Sequence, residues 1–282
     1  MTGPALKERI SRAKLTAREL QMIELLMGDM GSTVFLSGQQ MASYCGVSAT
    51  SMTRLVHKLG YEKFGEFKTE FELLYREMIT PFDMFESAME QTTESELIEE
   101  SVKNDYINLS SMENSIDEAL LHIVAEKIEK ARKIYIIGMY SSETVVRALG
   151  HYLWRLGKDY HEITGLGLFN KFEYSDIQHG DVLIAISTQR IVKEVLACVE
   201  LAKRTGITTV AFTDNCTNPL ASAADYTLLA PVRGVALDCT HVATIALVNI
   251  LCNIIAAEIP DVVEANLQHE SNKCTNKELF VL

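Results

Sequence analysis

The chain has 282 residues, 48% of them hydrophobic, and carries 26 Lys/Arg against 38 Asp/Glu for a net charge of −12. That length accommodates two domains, and that apolar fraction supplies a sizeable core. No apolar run reaches a membrane span and the N-terminus has no signal-peptide core, so a cytoplasmic protein with no membrane partner is expected. The six cysteines (45, 198, 216, 239, 252, 274) form no CxxC pair and no zinc spacing. Reduced thiols follow, with no metal and no cofactor expected.

The acidity is unevenly placed. Residues 1–80 hold ten Lys/Arg and nine Asp/Glu, whereas residues 81–282 hold 16 and 29. The N-terminal part is therefore near neutral, and the surplus negative charge lies elsewhere. Residues 1–18 carry Lys7, Arg9, Arg12, Lys14 and Arg18 against Glu8 alone. This run is equally a phosphate-attracting cluster or a solvated tail.

Thr16 with Glu19 predicts a capping box, opening a helix to about Met30 with Leu20, Ile23, Leu25 and Leu26 on its apolar face. Ser37 with Gln40 predicts a second capping box, on a helix that carries Met41, Ala42 and Cys45 and stops at Gly46. Ser48 caps the next helix. There Met52, Leu55 and Leu59 form an apolar seam, and the opposite face presents Ser48, Ala49, Thr50, Thr53, Arg54 and His57. A plain αα-hairpin explains the seam. It does not explain the small residue at Ala42, the Gly four residues on, and a polar face with short side chains first and Arg54 later. That combination predicts a helix-turn-helix whose second helix enters a major groove. Ser48, Thr50, Thr53, Arg54, His57 and Lys58 are the candidate contacts to double-stranded operator DNA.

Phe64, Phe67, Phe71 and Leu74 continue at helical spacing as core, and Ile79-Thr80-Pro81 breaks the pattern. Residues 82–131 are acidic and contain no Gly or Pro. They predict one helix ending near Asn114 and another over 117–131. Short β-branched runs then appear at 133–138, 158–163, 182–186, 208–213 and 226–229, with helical stretches between, as at 143–156 and 192–205. Buried runs alternating with helices predict an α/β fold with a parallel sheet covered on both faces. The apolar stretch 235–257 predicts a final helix. Cys239 and His241 near its start suit core packing better than a metal site.

In such a sheet, ligands bind beyond the carboxyl ends of the strands. After the first strand comes Gly138-Met139-Tyr140-Ser141-Ser142, and after the third Ser187-Thr188-Gln189-Arg190. Hydroxyls and free amides at helix N-termini suit an anion. Ser141, Ser142, Ser187, Thr188 and Arg190 are the candidate effector contacts.

Taken together, VSATSMTRLVHKLGYEKFGEFK, ARKIYIIGMYSS, GDVLIAIS and KEVLACVELAKRTGITTVAFTD resemble the RpiR-type transcriptional regulators over nearly the whole chain. The resemblance implies an all-α helix-turn-helix domain in residues 1–80, a helical linker in 81–116, and a doubly wound parallel-sheet SIS (sugar isomerase) domain in 117–282. It also implies regulation of carbohydrate metabolism genes through a phosphosugar sensed in the SIS domain. The family's loops usually read G-x-G-S-S-G and S-x-S-G-x-T. Here Tyr140 and Glu143 replace two glycines of the first, and Gln189, Arg190 and Val192 replace the Ser, Gly and Thr of the second. Two outcomes stay open: a phosphosugar-like or other anionic small molecule held with altered contacts, or a SIS domain that serves dimerisation alone. A phosphosugar isomerase is the enzymatic rival, but no carboxylate–His constellation stands near either loop, so no catalytic residue is assigned. A dehydrogenase fails for lack of G-x-G-x-x-G after the first strand. One reading head buries too little DNA for strong discrimination, so a homodimer or homotetramer is expected, with the 235–257 helix and the linker helices at the interface.

Overall fold

The structure, a computed structural model, describes residues 6–275 except 35, 79–80, 92 and 217. The chain divides after Gln91 into two compact units.

The first unit is helical throughout: α1 (Leu6–Arg12), α2 (Ala17–Gly28), the single turn α3 (Met30–Thr33), α4 (Gly38–Tyr44), α5 (Ala49–Lys58), α6 (Phe64–Met78) and α7 (Pro81–Gln91). Its caps are the ones the sequence encodes. Thr16 and Glu19 close a capping box on α2, Ser37 and Gln40 another on α4, and Ser48 accepts the Ser51 amide at the head of α5. The α4–α5 turn is a Schellman closure. Val47 N donates to Ala42 O at 2.9 Å, and Gly46 takes φ +64°, a conformation an L side chain rarely accepts. The pattern break at 79–80 lies outside the described residues.

Two expectations about this unit change. On α2 the buried residues are Met22, Ile23 and Leu26, whereas Leu20 and Leu25 are 44% and 41% exposed. The helix carries more apolar residues than one face can bury, and periodicity does not say which stripe wins. The basic run at 1–18 is not simply a tail. Arg9 lies 4.4 Å over the Tyr61 ring, donates to Gly60 O at 3.0 Å and pairs with Glu70, while Arg12 pairs with Glu8. Arg9 therefore staples α1 to the turn after α5.

Phe67 and Phe71 stack at 5.6 Å between ring centroids, with Tyr61 edge-on to Phe67, and both Phe side chains are essentially fully buried. Phe67→Ala should remove about 3–5 kcal/mol, a large share of what a small domain has. Calorimetry should show the first unit's transition collapsing while the second unit's persists. A single unshifted transition would show that Phe67 does not hold this core.

The second unit opens with α8 (Glu94–Glu113) and α9 (Glu118–Glu129). It continues as β1 (Ile134–Gly138), α10 (Glu143–Arg155), β2 (Tyr160–Thr164), α11 (Leu168–Glu173), β3 (Val182–Ile186), α12 (Lys193–Thr205), β4 (Thr208–Thr213), α13 (Pro219–Ala223), β5 (Tyr226–Leu229), α14 (Val242–Glu258) and α15 (Pro260–Thr275). All pairings are parallel, in the order β2-β1-β3-β4-β5. Side chains alternate across the sheet. Ile134, Ile136, Ile184 and Phe212 pack with α9, α10 and α14, and Tyr135, Ile137, Leu183 and Ala211 pack with α11, α12 and α13. Both faces are covered, which is why the strands read as continuous apolar runs.

The final helix differs from expectation. It starts at Val242 rather than at 235, and residues 235–241 are irregular. The cause lies just upstream. A Cβ on Gly234 would sit 1.7 Å from the Asp238 carbonyl oxygen, so the chain makes a tight reversal there before the helix starts. A further helix, α15, follows with Pro260 at its first position, where the missing N–H costs nothing. Among the described residues no single helix is long and apolar enough to cross a membrane.

Candidate functional site

Two sites emerge, one in each unit. In the first, α5 buries Met52, Leu55 and Val56 and turns Ser48, Thr50, Thr53, Arg54, His57 and Lys58 to solvent. At about 1.5 Å rise per residue its ten residues span roughly 15 Å, enough to lie in a major groove. The six candidates are not equally free. Ser48 Oγ accepts the Ser51 amide at 3.2 Å, and Thr53 Oγ1 donates to Ala49 O at 3.0 Å. His57 Nδ1 lies 3.0 Å from Tyr61 O, so the neutral ring donates there and keeps Nε2 as its other polar atom. Arg54 has no ion-pair partner among the described residues.

Lys58, a candidate DNA contact, is paired within the unit. Its Nζ lies 2.6 Å from Glu19 Oε2. That hydrogen bond from Lys58, followed by those from Thr16, lowers the Glu19 carboxyl to about 2. The folded value lies below the ordinary one of 4.5. The pair's contribution to stability is therefore complete above that ordinary value and lost as pH falls toward 2. Glu19→Gln keeps a residue that completes a capping box and releases Lys58. If Lys58 reaches phosphate, DNA affinity should rise, and the slope of log K against log salt should steepen by about 0.9. An unchanged slope in a salt titration would remove Lys58 from the contact set.

In the second unit, strand order reverses between β1 and β3, the place where a doubly wound sheet opens a crevice. Gly138 pairs with Ile186, so the loops after these strands leave side by side. They meet across Gly138, where a Cβ would lie 3.3 Å from both Ser142 Cβ and Ile186 O. Ser142, Ser187 and Thr188 are buried here, Ser141 is half-buried, and Arg190 and Tyr140 are exposed. Tyr140 takes φ +57° and Gln189 φ +55°. Tyr140 thus keeps a backbone shape that its glycine counterpart would adopt without strain, at a cost of about 1–2 kcal/mol for an L residue. Gln189 N donates to Asp214 Oδ1 at 2.9 Å, and Ser187 Oγ accepts the Val192 amide at 3.2 Å. Glu143, which opens α10, accepts the Gly165 amide at 3.1 Å.

Two residues read from sequence as core belong to this crevice. Cys239 Sγ is 3.4 Å from Ser141 Oγ and 3.6 Å from His241 Nε2, with the Thr188 side chain also near. Burial pushes the Cys239 thiol up, with Ser141 and Thr188 opposing, and pushes His241 down, with Asp238 opposing. Both therefore present neutral groups near pH 7. His241 Nδ1 and Thr244 Oγ1 are buried with no hydrogen-bond partner among the described residues. Among those residues no cluster of three or more His, Cys, Asp or Glu suits a metal. The one available signal was Cys-Thr-His immediately before a long apolar helix, and its meaning depended on where the chain reverses at Gly234.

The SIS domain family matches residues 127–252. The sugar isomerase domain of an RpiR transcription factor from Sphaerobacter thermophilus is 30% identical, covering 62% of this chain and 98% of that one, with a TM-score of 0.60. The Vibrio vulnificus NanR protein, solved with ManNAc-6P, shares the fold over 96% of this chain and 97% of its own, at 18% identity and a TM-score of 0.58. An uncharacterised HTH-type transcriptional regulator of Clostridium perfringens is 26% identical over 220 residues, 76% of this chain and 77% of that protein. The exposed polar face of α5, the parallel sheet with its strand-end crevice, and these relatives lead to one assignment: the chain belongs to the RpiR-type transcriptional regulators, DNA-binding proteins in which helix-turn-helix helices precede a SIS domain.

Proposed function

We propose that this regulator controls carbohydrate metabolism genes by placing α5 in the major groove of its operator, and that the crevice between β1 and β3 senses a phosphosugar-like anion. The observation that carries the sensing half is that Tyr140 and Arg190 are exposed while Ser141, Ser142, Ser187 and Thr188 gather at the strand ends. A domain kept only for dimerisation has no need of hydroxyls gathered beside two strained, positive-φ residues, Tyr140 and Gln189. The effector is an anion held by hydroxyls and helix N-termini, with Arg190 beside them as a cation. Isomerase activity is not part of the proposal. Glu143 is engaged by Gly165, and the remaining crevice groups, Cys239 and His241, contact each other. ManNAc-6P, with which the NanR protein was solved, belongs to the same chemical class, which supports this reading.

The test pairs a gel shift on the DNA upstream of the protein's own gene with a thermal-shift screen of phosphosugars and small anions. An effector present at 100 times its Kd should add about 2.7 kcal/mol. DNA binding with no stabilising anion would leave the dimerisation reading, and turnover of a hexose or pentose phosphate would favour the enzyme.

Reading an operator with useful discrimination takes two heads. On α8, Ile98, Val102 and Tyr106 are 73%, 67% and 72% exposed along one stripe, and Val242 and Ile245 face solvent on α14. These surfaces suit burial against a second copy of the chain. Light scattering at micromolar concentration should give a dimer or tetramer, and a monomer there would rule the arrangement out.

A further inference from the structure

Asn104 and Asn108 are 7% and 2% exposed, one turn apart on α8. Both donate their side-chain amide to one acceptor, the carbonyl oxygen of Arg233, with Asn108 Nδ2 at 2.8 Å. Buried amides are costly unless bonded, so α8 is committed to this one point of the 231–241 segment.

That segment is a closed loop. Thr240 N donates to Val232 O at 3.2 Å, tying its two legs, and the reversal at Gly234 admits no Cβ. One leg hangs from α8 through Arg233. The other delivers Cys239 to Ser141 and Thr188, and His241 to the head of α14. His241, nine-tenths buried, and Thr244 leave Nδ1 and Oγ1 unbonded there. Such atoms cost the free state energy that a ligand hydroxyl, or a shift of the loop, removes.

We propose that residues 231–241 are the sensing segment of the crevice: Cys239 and His241 meet the hydroxyl-bearing, uncharged part of the anionic effector, and the loop carries the resulting displacement to α8 through Asn104 and Asn108. The proposal rests on the regulator reading above and assigns its ligand contacts and its route. Neutral thiol and imidazole exchange hydrogen bonds with hydroxyls, while the anion itself is left to the loops after β1 and β3. The loop is small and its legs are tied by the Thr240–Val232 hydrogen bond, so they move together. α8, beginning at Glu94, is the first helix of the second unit.

The route is tested with a double-mutant cycle in the full chain. Gly234→Ala forces the loop open, and Asn104→Leu with Asn108→Leu removes the tie. DNA affinity and amide exchange over 94–113 are read for each protein. Gly234→Ala should change DNA affinity by about fivefold or more and raise α8 exchange, and in the Leu background the same change should fall below about twofold. Equal effects in both backgrounds, or no effect of Gly234→Ala in either readout, overturn the route. If Gly234→Ala lowers the second unit's melt, Cys239→Val replaces it, with the same expectations. The contacts are tested by calorimetry with glucose 6-phosphate and inorganic phosphate. His241→Ala should weaken the sugar phosphate by about fivefold or more and leave phosphate unchanged. Equal weakening of both, or of neither, overturns the contact. A parent chain that binds neither anion nor DNA removes the regulator reading instead, and the exchange arm alone then decides whether loop and helix are coupled.

Discussion

Arg54→Ala is expected to weaken operator binding by about 1–3 kcal/mol, roughly five- to 150-fold. Arg54 sits on the exposed face of α5, on the side away from Met52 and Leu55, and no carboxylate among the described residues neutralises it. A guanidinium in that setting can make a bidentate contact to guanine or hold a phosphate, and the two are separable. Loss of a base contact relaxes preference at one operator position. Loss of a phosphate contact weakens all sequences alike and flattens the salt slope by about 1. The thermal melt should stay within about 0.5 kcal/mol of the parent, because an exposed side chain far from caps and core carries little stability. Undiminished affinity, measured by anisotropy, would move the reading face off α5.

Restoring the family's second loop should act as strongly on the other site. Gln189, Arg190 and Val192 stand where the pattern has Ser, Gly and Thr. Two lost hydroxyl donors to a charged group cost roughly 1.5–3 kcal/mol each, about a hundredfold or more in binding. Ordinary hexose phosphates should therefore bind the parent weakly. Gln189→Ser, Arg190→Gly and Val192→Thr together should recover about that factor. Val192 is also the N-cap of α12 and makes no side-chain cap. Thr there should add about 0.5–2 kcal/mol of stability on its own account. Calorimetry decides between readings: tight hexose phosphate binding by the parent, undiminished by Arg190→Ala, would mean that the altered loop is not where selectivity lies.

Much of this architecture is local and therefore legible in sequence. The caps at Thr16, Ser37 and Ser48, the turn at Gly46 and the alternation of strands with helices need only neighbours a few residues away. What escaped depends on distant partners. Periodicity offered Leu20 and Leu25 to the core, but packing chose Met22. The sequence offered no sign of the Lys58 pair, because its partner Glu19 is 39 residues upstream. The apolar run from 235 looked helical throughout, and only the Asp238 carbonyl against Gly234 explains why the chain reverses first. Cys239 and His241 looked like core for the same reason. They are largely buried, but their neighbours are Ser141 and Thr188, and no spacing rule joins positions 98 residues apart, such as Ser141 and Cys239, into one crevice.

Sequence-selective DNA binding by α5 is the property on which the regulator's function depends. The most direct measurement titrates the purified chain, at physiological salt, into a labelled duplex from upstream of its own gene and into a shuffled duplex of the same composition. The predicted result is a preference for the native duplex of about 10³ or more, reduced when Arg54 is replaced by Ala. Equal affinity for the two duplexes, unchanged by that substitution, would contradict it.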